Sequence, residues 1–195
     1  MAFALVAAIT PGPSNVILTT TGANVGIWRG IPCLLGVAGG MGLMILLVAF
    51  GMGSLVVGNV ALLAALNWAG AAFLLWLSWK IATAPVGAAQ APRRPIGFVE
   101  AALFQWINPK SWIVSASAAG TYLQPGGGTA VSQAVLLGGL FLAAALPSSF
   151  AWLAFGAALQ RVLSSPRRLR LFNTAMGLLL AGSVVLMLVP RANAS

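Results

Sequence analysis

The sequence predicts an all-α membrane protein of about six transmembrane helices, arranged as two inverted three-helix repeats whose first and fourth helices are broken. Three observations lead there. The composition cannot keep a protein surface wet, positive charge is distributed unevenly among the loops, and two proline breaks sit at matching places in the two halves.

Of the 195 residues, 60% are hydrophobic and only 6% charged, and the mean hydropathy is +0.99. Soluble domains carry roughly a quarter of their residues as charges, so lipid is the solvent that fits this chain. The apolar runs are about 18–22 residues long, the length of a helix across a hydrocarbon core of about 30 Å. Period-2 alternation is absent, which argues against an outer-membrane barrel.

Hydropathy marks six spans, at about 1–22, 32–52, 62–82, 97–119, 132–158 and 171–189. The net charge of +9 is scattered among loops, with no basic-aromatic stripe of the kind that binds nucleic acid. Arg29 falls between spans 1 and 2. Lys80, Arg93 and Arg94 fall between 3 and 4, and Arg161, Arg167, Arg168 and Arg170 between 5 and 6. The other two loops hold no cation. The positive-inside rule then puts these three loops in the cytoplasm and both termini outside an inner membrane. The stretch 84–96, rich in Ala and Pro, reads as a cytoplasmic linker between a first repeat (1–83) and a second (97–195). Met1 to Ile9 lacks the basic start of a signal peptide.

Proline inside a helix removes a hydrogen bond and clashes with the preceding turn. Backbone groups freed this way are tolerated within a membrane only where protein or a cavity surrounds them. Span 1 is interrupted by Thr10-Pro11-Gly12-Pro13 and span 4 by Asn108-Pro109-Lys110. At 1.5 Å per residue both breaks lie about 14–15 Å deep, near the midplane. Paired broken helices in two inverted halves are the expected mark of a transporter binding site. Thr or Asn before Pro also signals a helix start, so new half-helices are expected at Thr10 and Asn108. Their N–H groups and the Lys110 ammonium would favour an anion. A proline can equally serve as a packing kink. A midplane lysine costs about 2.5–3.5 kcal/mol, so Lys110 is expected to face a cavity or a partner.

Several other residues bear on this reading. Glu100 is the only carboxylate side chain, and Glu100 and Lys110 are the candidates for proton coupling. An interfacial ion pair of Glu100 with Arg93, Arg94 or Arg29 is the simpler alternative. With no His, no Asp and a single Cys (Cys33), the chain lacks the residues of acid–base catalysis and metal binding, and no enzyme, metal or cofactor is expected. Gly36 and Gly40 present a small-residue face for close helix packing, which also makes a homodimer plausible. Trp28 and Trp79 suit the membrane interface, while Trp106 and Trp112 flank the second break. Ser14, Asn15, Thr19 and Gln105 are polar groups near the breaks.

These motifs resemble those of the lysine-exporter (LysE/RhtB-type) translocators, over almost the whole chain. Thr10-Pro11-Gly12-Pro13 with Asn15 is similar to the family's first-helix signature, and Asn108-Pro109-Lys110 with Trp112 to its second. Gly26, Arg29-Gly30, Gly36, Gly40 and Gly51-Met52-Gly53 follow its glycine pattern. Gly70, Phe73-Leu74, Trp76-Leu77 and Lys80 follow its third helix, Phe98 and Gln105 its fourth, and Asn173, Gly177 and Gly182 its last. The resemblance implies a six-helix, two-repeat fold and proton-motive export of amino acids or their derivatives. Some members carry an acid in the second helix and this chain has none, so it does not imply export of basic amino acids.

The resulting expectation is a secondary active transporter. Its substrate carboxylate would sit near Lys110, among Thr10, Pro11, Gly12, Pro13, Asn15, Gln105, Asn108 and Pro109. One repeat would rock against the other to alternate access. A channel or carrier for another small solute, and a non-transporting membrane scaffold, are the alternatives.

Overall fold

A computed structural model of the chain describes residues 2–52, 59–84, 95–124, 128–163 and 165–188. The described regular structure is all helical: α1 Ala2–Ile9, α2 Pro13–Leu47, α3 Val60–Ala82, α4 Phe98–Ile107, α5 Pro109–Tyr122, α6 Ala130–Val162 and α7 Pro166–Leu188. A π-helical turn, Val48–Met52, finishes α2. The Pro13–Met52 and Ala130–Leu159 stretches are each long and apolar enough to cross a membrane.

The helix α2 is not one rod. Gly26 has φ 78° and ψ −178°, a region that essentially only glycine occupies. The Thr21 hydroxyl lies 3.9 Å from the Cys33 sulfur, whereas twelve residues of straight helix rise about 18 Å. The chain therefore doubles back at Gly26, and limbs 13–25 and 27–47 run antiparallel. This corrects the loop expected between residues 22 and 32. The reversal needs a single glycine, and Arg29 sits in the first turn of the second limb. Similarly, α7 begins at Pro166 rather than near 171, so Arg167, Arg168 and Arg170 are helical. Hydropathy reports where the apolar run ends, and these helices continue past it. The cations Arg93, Arg94 and Arg191, and most of the 84–96 linker, lie outside the described residues.

Backbones approach closely wherever small residues allow it. A Cβ on Gly22 would lie 2.1 Å from the Leu153 carbonyl oxygen, and one on Gly156 would lie 2.0 Å from that of Thr19. This crossing locks the first limb of α2 onto α6. A Cβ on Gly36 would lie 2.2 Å from the Phe98 carbonyl oxygen, and one on Gly40 would lie 2.8 Å from the Ala102 Cα. The expected small-residue face is thus used within the chain, between the second limb and α4. The helices α3 and α7 pair through Gly177, whose carbonyl accepts the Ser78 hydroxyl at 2.7 Å. One core cluster joins Ile17, Cys33, Leu74, Phe104, Leu153 and Leu180, drawing on residues from both sides of the linker. Outside this core, large apolar side chains such as Val6, Leu43, Leu103, Leu136, Leu171 and Leu178 are exposed. A surface that apolar belongs against lipid.

Candidate functional site

The two breaks meet. Helix α1 ends as Thr10 donates both its N–H and its hydroxyl to the Val6 carbonyl. The chain then runs extended through Gly12 (φ −172°, ψ 179°), which is the N-cap of α2, with Pro13 in the first turn. The helix start expected at Thr10 is corrected by this arrangement. Thr-Pro-Gly-Pro offers two prolines, and the one that opens the helix is Pro13. Thr10 belongs to the end of α1, and Pro11 is an exposed residue of the connection.

The second break follows the expectation. Asn108 leaves helical geometry (φ −83°, ψ 110°), Pro109 opens α5, and Asn108 Oδ1 accepts the Lys110 N–H at 3.2 Å. The Asn108 carbonyl accepts the Ser111 N–H at 3.0 Å. The first N–H groups of α5 are therefore occupied by Asn108 itself. At the start of α2 the Gly12 carbonyl likewise takes the Asn15 N–H at 3.0 Å and Pro13 has no N–H, so the difference is the Ser14 N–H, which Gly12 has no side chain to cap.

Between the breaks, Lys110 Nζ donates to the Thr10 carbonyl oxygen. Its stem lies across Gly12, where an added Cβ would be 2.9 Å from Lys110 Cδ and 3.2 Å from Nζ. Asn15 Nδ2 donates to the same Thr10 carbonyl at 2.9 Å and to Ala8 at 3.4 Å. Beside them, Asn108 Nδ2 donates to Ser14 Oγ (3.0 Å), which donates to Gln105 Oε1 (3.2 Å). Ser111 Oγ donates to the same amide oxygen at 2.9 Å, and Gln105 Nε2 returns to the Ala101 carbonyl at 3.3 Å. Gln105 and Asn108 are each only 1% exposed, so in this apolar setting each is held in a network rather than left unpaired.

These groups line a cavity of about 50 Å³ together with Val37, Met41, Phe141, Ala145 and Ser149. By volume it holds a few waters and is smaller than an amino acid. It offers an ammonium and a helix start to an anion, and the Gln105 amide oxygen to a cation. Gly12, Asn15, Gln105, Asn108 and Lys110 all line it, whereas Thr10, Pro11, Pro13 and Pro109 shape the backbone beside it. Ser111 was not singled out in the sequence, although it directly follows Lys110. The apolar wall from the second limb and α6 carries no chemical marker that sequence alone reveals.

Other residues fall elsewhere. Glu100 stands apart from the cavity, its Oε2 accepting the Gly97 N–H at 2.7 Å at the start of α4. Thr19 donates to the Trp152 carbonyl at 3.5 Å, in the crossing of α2 with α6. Trp112 Nε1 donates to the Trp106 carbonyl at 2.7 Å, and the two rings stack edge-on 6.1 Å apart outside the cavity wall. No cluster of potential metal ligands occurs among the described residues.

No solved structure matches the chain. Among characterised sequences, the chain is 35% identical over 123 residues to a cysteine/O-acetylserine efflux protein of Salmonella choleraesuis (strain SC-B67), and 33% identical over 123 residues to one of Escherichia coli (strain K12). Each match covers 63% of this chain and 63% of the relative, so less than two thirds of either relative's length is spanned. The family model of LysE type translocators matches residues 5–189, which takes in both breaks, the polar network between them and all but the first turn of α1. The chain belongs to the LysE type translocator family.

Proposed function

We propose that the chain is a secondary active exporter of small, neutral amino acids or their derivatives in the inner membrane, built as six spans in two inverted repeats with both termini outside. The carrying observation is that Lys110, from the second break, reaches the backbone of the first. A charged lysine deep in a membrane needs a partner, and a carbonyl oxygen is a weaker partner than a carboxylate. A substrate α-carboxylate at Lys110 and the open start of α2 would replace the Thr10 carbonyl. The ammonium would then face the Thr10 and Gln105 oxygens. Cysteine and O-acetylserine, named for the relatives, both carry this pair of groups on a small uncharged side chain. Lys110, between the two halves, is the proton-coupling candidate within the site, and Glu100 the candidate outside it.

Symmetry supports the two-repeat reading. An added Cβ on Gly42 would meet the Gly138 carbonyl and Leu142, and one on Gly138 would meet the Gly42 carbonyl and Leu46. The pairs 42/138 and 46/142 share one offset, 96 residues, which also relates Gly12-Pro13 to Asn108-Pro109. A contact that exchanges its partners in this way is what a two-fold axis produces, which supports reading 1–83 and 97–195 as the two repeats on either side of the 84–96 linker. The small central cavity supports a carrier that opens one side at a time over a channel.

The test is efflux of labelled O-acetylserine from preloaded proteoliposomes with and without a pH gradient. Lys110→Met is expected to lower the rate at least tenfold, which corresponds to about 1.4 kcal/mol or more of lost interaction, and Lys110→Arg is expected to retain part of it. Wild-type efflux by Lys110→Met would remove the proposed site.

A further inference from the structure

A second cavity of about 330 Å³ lies at the α5–α6 end of the molecule, walled by Ala4, Tyr122, Gln124, Gln133, Leu137 and Phe141. It falls in the size range of small-molecule sites, roughly 300–1,000 Å³. Phe141 also lines the central cavity, so its ring is part of the partition between the two. Helix α1 contributes to both walls, through Ala4 on one side and Ala7 and Ala8 on the other. Phe141 is 3% exposed, and its ring stands edge-on to that of Phe3, with centroids 6.0 Å apart and planes at 70°. Phe3 in turn leans on Tyr122, also at 6.0 Å.

Helix α1 packs chiefly on α6, with Ala4 buried in a core cluster beside Val114, Leu137 and Phe141, and beyond Ile9 the chain is non-helical through Gly12. Its last turn is fastened by the Lys110 and Asn15 bonds to the Thr10 carbonyl and by the weaker Asn15 bond to Ala8. A ligand that takes Lys110 away from Thr10 removes one of those fastenings.

We propose that α1 and Phe141 form the exit gate of this translocator, with Phe3 closing against Phe141, and that a carboxylate arriving at Lys110 loosens the gate toward the larger cavity. The gate itself rests on the cavity geometry, and its place on the exit side rests on the orientation proposed above. Its trigger rests on the substrate reading above.

Thiol accessibility tests the two parts separately. In a Cys33→Ala background, Val114→Cys places one reactive group in the central cavity wall. A membrane-impermeant maleimide is added to either face of oriented vesicles. Phe141→Ala, and independently Phe3→Ala, are expected to raise the labelling rate about 3- to 10-fold, the scale set by losing an edge-to-face aromatic pair. The rise is expected only from the face bearing the α5–α6 turn. Parent-like rates in both variants, each eluting as a monodisperse species, overturn the gate. O-acetylserine is expected to raise labelling in the parent and not in Lys110→Met. No rise in the parent, with the Phe141→Ala effect intact, overturns the trigger and leaves the gate standing, while the Lys110 reading stands or falls by the efflux of Lys110→Met.

Discussion

Replacing Gly156 by alanine tests the crossing that holds the first limb of α2 to α6. The added Cβ would lie 2.0 Å from the Thr19 carbonyl oxygen, 2.8 Å from its carbon and 2.9 Å from the Thr19 Cα. A carbon and a carbonyl oxygen in contact normally sit about 3.3 Å apart or more, so the backbones must separate by about 1.3 Å. No side chain can swing aside, because all three obstructing atoms are main chain. Overpacking of this kind costs about 1–3 kcal/mol. For a chain of this length each kcal/mol lowers Tm by about 2–4 °C, giving an expected fall of about 2–12 °C. The control is Gly139→Ala, on the same helix, where a Cβ meets nothing within 4 Å. There alanine is expected to gain up to about 1 kcal/mol from helix propensity. Gly22→Ala strains the same crossing from the other side, 2.1 Å from the Leu153 oxygen. The Gly22→Ala/Gly156→Ala pair should cost less than the sum, since one separation relieves both. Thermal unfolding in detergent, followed by size-exclusion chromatography, measures all four variants. If Gly156→Ala melts with Gly139→Ala, the close crossing is wrong.

Three further predictions concern the reversal and the breaks. Gly26→Ala forces a non-glycine residue into φ 78°, ψ −178°, at about 1–3 kcal/mol, and should lower Tm accordingly; an unchanged Tm would mean that the chain does not turn there. Asn108→Ala removes the cap on Lys110 N–H and the donor to Ser14, so a loss of about 1 kcal/mol is expected, seen as a Tm lowered by about 2–4 °C. Gly12→Ala pushes only against the flexible Lys110 stem. It should therefore leave Tm within about 2 °C of wild type, in keeping with a side chain that can yield, while efflux falls several-fold; normal efflux would show that the Lys110 position against Gly12 is immaterial.

How far the sequence carried this description depended on whether a feature had a chemical label. Asn108-Pro109-Lys110 was legible because a lysine and a proline inside an apolar run have few physical excuses. That Lys110 meets the other break followed from the cost of burying its charge. The register of the first break was not legible, since either proline of Thr10-Pro11-Gly12-Pro13 suits a helix start. The extended backbone at Gly12 decides for Pro13. A turn between the first two spans was expected, but that Gly26 alone makes it was hidden: one glycine among 23 gives no sign of positive φ. Phe141, Val37 and Met41 line the cavity as ordinary apolar residues, and only their place in space distinguishes them from core.

The position of the glycines also bears on how such a protein can move. The closest backbone crossings join the first limb of α2 to α6, the second limb to α4, and α3 to α4, where a Cβ on Gly70 would lie 2.2 Å from the Ile107 carbonyl oxygen. Each runs from one proposed repeat to the other. Rocking whole repeats apart must slide carbonyls past Cα atoms at all three crossings together, against close packing that tolerates little displacement. Helix α1 lies beyond the Thr10–Gly12 break and outside these crossings. Its tilt needs the Thr10 carbonyl to change partners, the Asn15–Ala8 bond and the Phe3 contacts with Phe141 and Tyr122 to open, and Ala4 to shift within its core cluster beside Leu137 and Phe141. Hydrogen bonds within membrane helices are worth about 0.6 kcal/mol on average, and an aromatic pair about 0.5–1.5 kcal/mol. These polar and aromatic contacts sum to a few kcal/mol, and the exchange of a carbonyl for a carboxylate at Lys110 offsets part of that sum. The proposed exit gate can therefore open while the glycine-locked crossings stay in place.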